Sequence, residues 1–152
     1  MNIKICSAAF KDTDRISDIL IESRKLFIPY APIVHSESDI RRWVERILLP
    51  SGGVTVALRE DLVVAVIAVS NCDGINWIDQ MYVAPEYVNN GIGTSLLLNS
   101  FKTMTKPVRL YTFQENTGAR RLYEKHGFIA IQFTNGENNE EQCPDVLYEL
   151  PA

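Results

Sequence analysis

The stretch IDQMYVAPEYVNNGIGTSLLLNSF, Ile78 to Phe101, decides how this chain is read. Its first residues complete a strand over 75–83, rich in β-branched and aromatic side chains. A turn containing Gly91 and Gly93 follows, and then Leu96, Leu97, Phe101 and Met104 recur at helical spacing and predict an inward face. Strand, glycine turn and amphipathic helix together make a compact anion site. The glycines let the backbone approach closely, and the first N–H groups of the helix favour phosphate. The pattern is not a P-loop, because no Gly-Lys-Ser/Thr follows, and not the full G-x-G-x-x-G fingerprint, because position 96 is leucine. Taken alone, Gly91-x-Gly93 is equally the signature of a tight turn that needs glycine.

A second stretch, ENTGARRLYEKHGF at Glu115 to Phe128, extends the pattern. Asn116 can cap a short helix that carries Ala119, Leu122, Tyr123 and His126 on one face, and Gly127 stops it. Strands are expected over 108–113, 128–133 and 146–150, and a hairpin over 54–58 and 62–69. Toward the N-terminus, 3–8 reads as an opening strand. Asp12 or Thr13 can cap a helix bearing Ile16, Ile19, Leu20 and Phe27, broken by Pro29 and Pro32. Ser36 with Asp39 can cap another, ended by Pro50. The order β-α-α-β-β-β-α-β-α-β-β implies an α/β (α+β) domain, a central mixed sheet with helices on both faces. No repeat or linker divides residues 1–152, so a single domain is expected.

Composition narrows the function classes. A net charge of −4 disfavours a nucleic-acid partner, which needs a concentrated basic surface. The longest apolar run, Leu62 to Val69, is too short for a membrane span, and MNIKICSAAF lacks the apolar core of a signal peptide. Cys6, Cys72 and Cys143 have neither metal-ligand nor disulfide spacing and read as free thiols, so a cytoplasmic location is expected. No cluster of His, Cys and carboxylate residues suggests a metal.

Together, Gly91-x-Gly93 after a strand ending MYVAPEY, and then N-x-x-A-x-x-L-Y-x-x-x-G-F from Asn116, resemble the GNAT acyltransferases. The resemblance implies that family's fold, with two splayed parallel strands (here 75–83 and 108–113) that admit acetyl-CoA as cosubstrate. By that likeness, backbone groups along Met81, Tyr82 and Val83 would meet the pantetheine arm as a further strand would. The amides of Asn89, Asn90, Gly91, Ile92, Gly93 and Thr94 would hold the pyrophosphate, with Asn116 near the arm and Tyr123 near the thioester sulfur. One departure stands out: the family carries Arg or Gln where this chain has Val88. The lost contact is worth about 1.5–3 kcal/mol, unless Arg120, Arg121 or Lys125 compensates.

The implied reaction is acetyl transfer from acetyl-CoA to a primary amine of a small molecule, peptide or protein, by direct attack in a ternary complex. Tyr123 is the candidate general acid, weighed against a packed tyrosine. Asp79 is the candidate base, weighed against a solvated carboxylate, and strand alternation places it on the face of Met81 and opposite Gln80. Phe27 and Tyr30 would line the acceptor groove. The acidic loop with Glu137, Glu140, Glu141 and Asp145 would attract a cationic amine. A different class is a CoA-binding regulatory module whose catalysis has decayed, a reading that Val88 keeps open. Whether the protein forms a homodimer is open as well.

Overall fold

The computed structural model describes residues 2–152. The chain runs β1 (Lys4–Ser7), α1 (Thr13–Phe27), α2 (Glu37–Trp43), β2 (Val54–Arg59), β3 (Leu62–Cys72), β4 (Ile75–Val83), α3 (Ile92–Ser100), β5 (Val108–Phe113), α4 (Thr117–Lys125), β6 (Ile129–Phe133) and β7 (Asp145–Leu150). The strands form one seven-stranded sheet in the order β1-β2-β3-β4-β5-β7-β6. All neighbours are antiparallel except β4 and β5.

Local chemistry explains most of the boundaries. β2 and β3 meet through Glu60-Asp61, and β3 and β4 through Asp73-Gly74. All four residues have positive φ, which matches the twist that a two-residue hairpin requires. Ser36 caps α2 by accepting the Asp39 amide at 3.1 Å, and Asn116 caps α4 by accepting that of Ala119 at 3.3 Å. The start of α1 differs from expectation. A 3₁₀ turn at Phe10–Asp12 leads directly into it, so Asp12 is already helical and instead accepts the Ala9 amide. Nor does α2 run straight to Pro50: a π turn (Val44–Leu48) and a 3₁₀ turn (Leu49–Ser51) intervene.

Two apolar layers flank the sheet. On one face Leu96 and Leu97 of α3 and Tyr123 of α4 pack with Leu110, Val146 and Tyr148. On the other, Ile16, Ile19 and Leu20 of α1 and Val44 and Leu48 pack on Val56 and Val66. Each such fully buried aliphatic side chain contributes roughly 1.5–3 kcal/mol.

The feature that positions the site is a divergence in mid-sheet. β4 and β5 pair only at Asn76–Val108 and Trp77–Arg109, and then part. Directly beyond Trp77, β4 carries a bulge: Val69 opposes Ile78 and Ala68 opposes Gln80, which leaves Asp79 as the extra residue. A bulge bends its strand and sharpens its twist. The same bulge corrects the alternation expected for Asp79. Ile78, Met81 and Val83 share the α3/α4 core layer, whereas Asp79 is exposed.

Candidate active site

The gap between β4 and β5 opens into a cleft on each face of the sheet. The cleft toward α3 and α4 has a volume of about 500 Å³ and includes Val88, Asn89, Gly91–Thr94, Asn116 and Tyr123 in its wall. The opposing cleft, also about 500 Å³, is lined by Arg24, Asp79, Gln80, Thr112, Glu141 and others. It adjoins a third hollow of about 390 Å³ between α1, α2 and the β6–β7 loop, lined by Ile33, His35, Trp43 and Glu140 among others. Met81, Tyr82, Asn116 and Tyr123 line both of the larger clefts, so they stand where the two faces communicate.

On the α3/α4 side the backbone is the main resource. The Ala84 amide donates to the Val64 carbonyl at 2.8 Å, so Ala84 turns toward β3. By alternation, Met81 and Val83 turn their N–H and C=O groups to the open edge. The Val83 carbonyl receives the Ser23 hydroxyl at 3.2 Å. At the far end of the cleft, Gly91 is left-handed at φ 77° and starts α3. A Cβ on Gly93 would stand 3.4 Å from the Met81 side chain and 3.5 Å from that of Val83, closing the space against the strand. Among the described residues no turn or cap hydrogen bond uses the amides of Asn89 through Thr94, which leaves orphan donors at a positive dipole end. This edge and these donors fit an extended amide-bearing arm that ends in a phosphate group.

Tyr123 lies at the throat with its ring buried against Phe128 and Tyr148. Its hydroxyl has one partner, the Met81 Sδ at 3.7 Å. Burial, with a small contribution from Tyr82, pushes its pKa well above the usual tyrosine range, so the hydroxyl keeps its proton. Asp79 lies on the opposite side, where its carboxylate lines the second cleft and not the first. Of the acidic loop, Glu140, Glu141 and Asp145 reach that cleft, and Glu137 does not. Asp145 is taken up by Thr134 and Asn139, and Glu140 faces His35 at 3.0 Å. Glu141 has its pKa raised, mainly by burial, with Arg24 acting in the other direction.

Several expected positions fall elsewhere. Phe27 lines the α3/α4 cleft and not the acceptor side, because it shares a face of α1 with Ser23. Tyr30 lies behind the second cleft, packed edge-on against Phe113 with its ring centroid 6.2 Å away. Arg120 cannot substitute for a side chain at 88. It donates to the Tyr148 hydroxyl and the Gln114 carbonyl and lies over Phe133, and among the described residues no Lys or Arg lines the α3/α4 cleft. The sequence reading missed Arg24. The signal was available: Arg24 follows Leu20 by four residues and precedes Phe27 by three, so a cation interrupts an apolar stripe.

A sheet split at a parallel pair, with a glycine-led helix at one mouth and a buried tyrosine at the throat, is the architecture of the GNAT fold. The model of the acetyltransferase (GNAT) family matches residues 20–128, and the chain belongs to that family. No curated protein matches it in sequence. Among solved structures it is similar to the PaiA N-acetyltransferase of Thermoplasma acidophilum in complex with coenzyme A, with 22% identity, full coverage of both chains and a TM-score of 0.78. Apo YjaB of Escherichia coli gives 18% identity, full coverage of both chains and 0.78. NAA60 of Arabidopsis thaliana, in complex with a bisubstrate analogue, gives 18%, coverage of 97% of each chain and 0.73. At these identities the likeness is one of fold.

Val88 lines the cradle wall, whose lining among the described residues includes no Lys or Arg, and Arg59 is held over the neighbouring Tyr87 ring. Val88→Arg is therefore expected to tighten CoA binding about tenfold, the lower end of a charged hydrogen bond's worth. Calorimetry on both proteins checks this, and equal affinity would mean that the backbone donors already saturate the phosphates.

Proposed function

We propose that the protein is an N-acetyltransferase that passes an acetyl group from acetyl-CoA to a primary amine by direct attack in a ternary complex. The observation that carries this reading is the throat: Tyr123, Asn116, Met81 and Tyr82 line both clefts, so a donor on one side meets an acceptor on the other without a covalent relay.

Bound acetyl-CoA supplies the acyl group as a thioester. The open edge at Met81–Val83 and the amides of Asn89–Thr94 bind it, and Asn116 lies beside its arm. Tyr123, kept protonated by burial, is the group to deliver a proton to the departing sulfur. Asp79, exposed on the acceptor side, takes the proton from the incoming ammonium, through water where the gap requires it. We place this chemistry in the cytoplasm, with a small-molecule or peptide amine as acceptor.

Direct attack predicts intersecting initial-velocity lines and no burst of CoA thiol from acetyl-CoA alone. Parallel lines with an acetylated cysteine would overturn it. Cys143, which packs against the cleft residues Tyr82 and Phe113, is buried with its pKa raised, so it is a poor nucleophile.

A further inference from the structure

Two buried donors have no acceptor, one in the wall of the acceptor cleft and one packed behind it. Arg24 lines both acceptor-side hollows, and its Nε–H is buried with no hydrogen-bond partner. The rest of the guanidinium is only loosely held: the Pro32 carbonyl lies 3.5 Å from Nη2, the long limit of such a bond, and the Tyr82 hydroxyl lies close by. Among the described residues no carboxylate comes within 4 Å of this guanidinium. The second donor is the Tyr30 hydroxyl, also buried and unpartnered. Both groups converge on Phe113: Arg24 lies over that ring at 5.7 Å, and Tyr30 meets its edge.

A buried N–H and a buried hydroxyl, each without an acceptor, are costly to fold around. The cost is relieved by a ligand that brings acceptors to both. We propose that Arg24 and Tyr30 bind a carboxylate carried by the acceptor, so that the substrate of this site is an amino acid. A guanidinium holds a carboxylate through two parallel hydrogen bonds, and a hydroxyl completes the shell. Burial holds the Tyr30 pKa at about 12, so that hydroxyl remains a donor. The other charges choose between anions. Asp79 and Glu141 share the cleft with Arg24, a lining that repels a phosphate dianion but suits a zwitterion whose ammonium lies toward the carboxylates. A merely cationic acceptor would bring nothing to the Arg24 Nε–H. The assignment rests on the acetyl-transfer reading for the position of the amine, and on the two orphan donors for the carboxylate.

The test is calorimetry on the chain saturated with CoA, using each proteinogenic amino acid and its carboxamide. The best amino acid is expected to bind at least tenfold more tightly than its amide. Arg24→Gln should bring that ratio close to one without weakening the amide, and Arg24→Lys, which keeps the charge but not the fork, should fall between. Tyr30→Phe should reduce the ratio severalfold, and serves if Arg24→Gln does not fold. An amide bound as tightly as its acid, or a preference that survives Arg24→Gln, overturns the proposal. Thiol release on the same ligands is scored separately. Preferential binding without release contradicts the transfer reading and leaves the carboxylate site standing. Release from simple amines and amides alone upholds transfer and overturns the site.

Discussion

Replacing Tyr123 with phenylalanine should lower kcat by about 10²–10⁴-fold, the usual contribution of a general acid, while acetyl-CoA affinity stays nearly constant. The structure isolates the hydroxyl from the ring unusually well. The ring is held by Phe128 and Tyr148 at 5.5 and 6.4 Å between centroids, and both contacts survive the change. Among the described residues the hydroxyl's only partner is a thioether sulfur at 3.7 Å, so its loss strands no strong acceptor. Stability should therefore move little, and the loss should fall on the chemical step. Because burial raises the pKa of Tyr123, the wild type should show no alkaline limb from this residue. Its rate should rise with pH as the acceptor amine loses its proton, and then level off. A mutant with wild-type turnover would assign Tyr123 to packing alone.

Acetyl-CoA should stabilise the fold by about 2.7 kcal/mol at a concentration near 100 times Kd. For a chain of this size that corresponds to a rise in Tm of roughly 5–10 °C. The effect should be large because the sheet is weakest where the ligand enters: β4 and β5 share two paired positions, and beyond them the edge of β4 has no strand beside it. A ligand that spans this edge and the amides of Asn89–Thr94 and also touches Asn116 and Tyr123 across the gap ties the two halves together. NAD and ATP, which lack the amide-bearing arm, should do much less. A melting curve unmoved by millimolar acetyl-CoA would contradict the assignment of the cleft.

The sequence made the strands, the caps at Ser36 and Asn116 and the glycine-led helix legible because each depends on neighbours in the chain. Ser36 meets Asp39 three residues on, and Asn116 meets Ala119 by the same spacing. The split parallel pair was reached by resemblance, not by periodicity. What could not be read depends on distant partners. The bulge at Asp79 exists because β3 and β4 slip by one residue, and a strand read alone gives no sign of that slip. Its consequence, Asp79 turned to the acceptor cleft away from the layer of Met81, was hidden with it. The positions of Phe27 and Arg24 follow from which face of α1 meets which cleft. Helical spacing pairs Phe27 with Ser23 and Arg24 with Leu20 but does not say what lies opposite.

The central claim is that the split in this sheet brings an amine to acetyl-CoA. It is tested most directly by incubating the wild-type chain with acetyl-CoA and amino acid or other amine acceptors, with free thiol and products followed together by mass spectrometry. The account predicts CoA released in equal amount to an N-acetylated product, and a rate cut at least 100-fold by Tyr123→Phe. Tight binding of acetyl-CoA with no thiol released to any amine would contradict it, and would make the protein a CoA-binding module that performs no transfer.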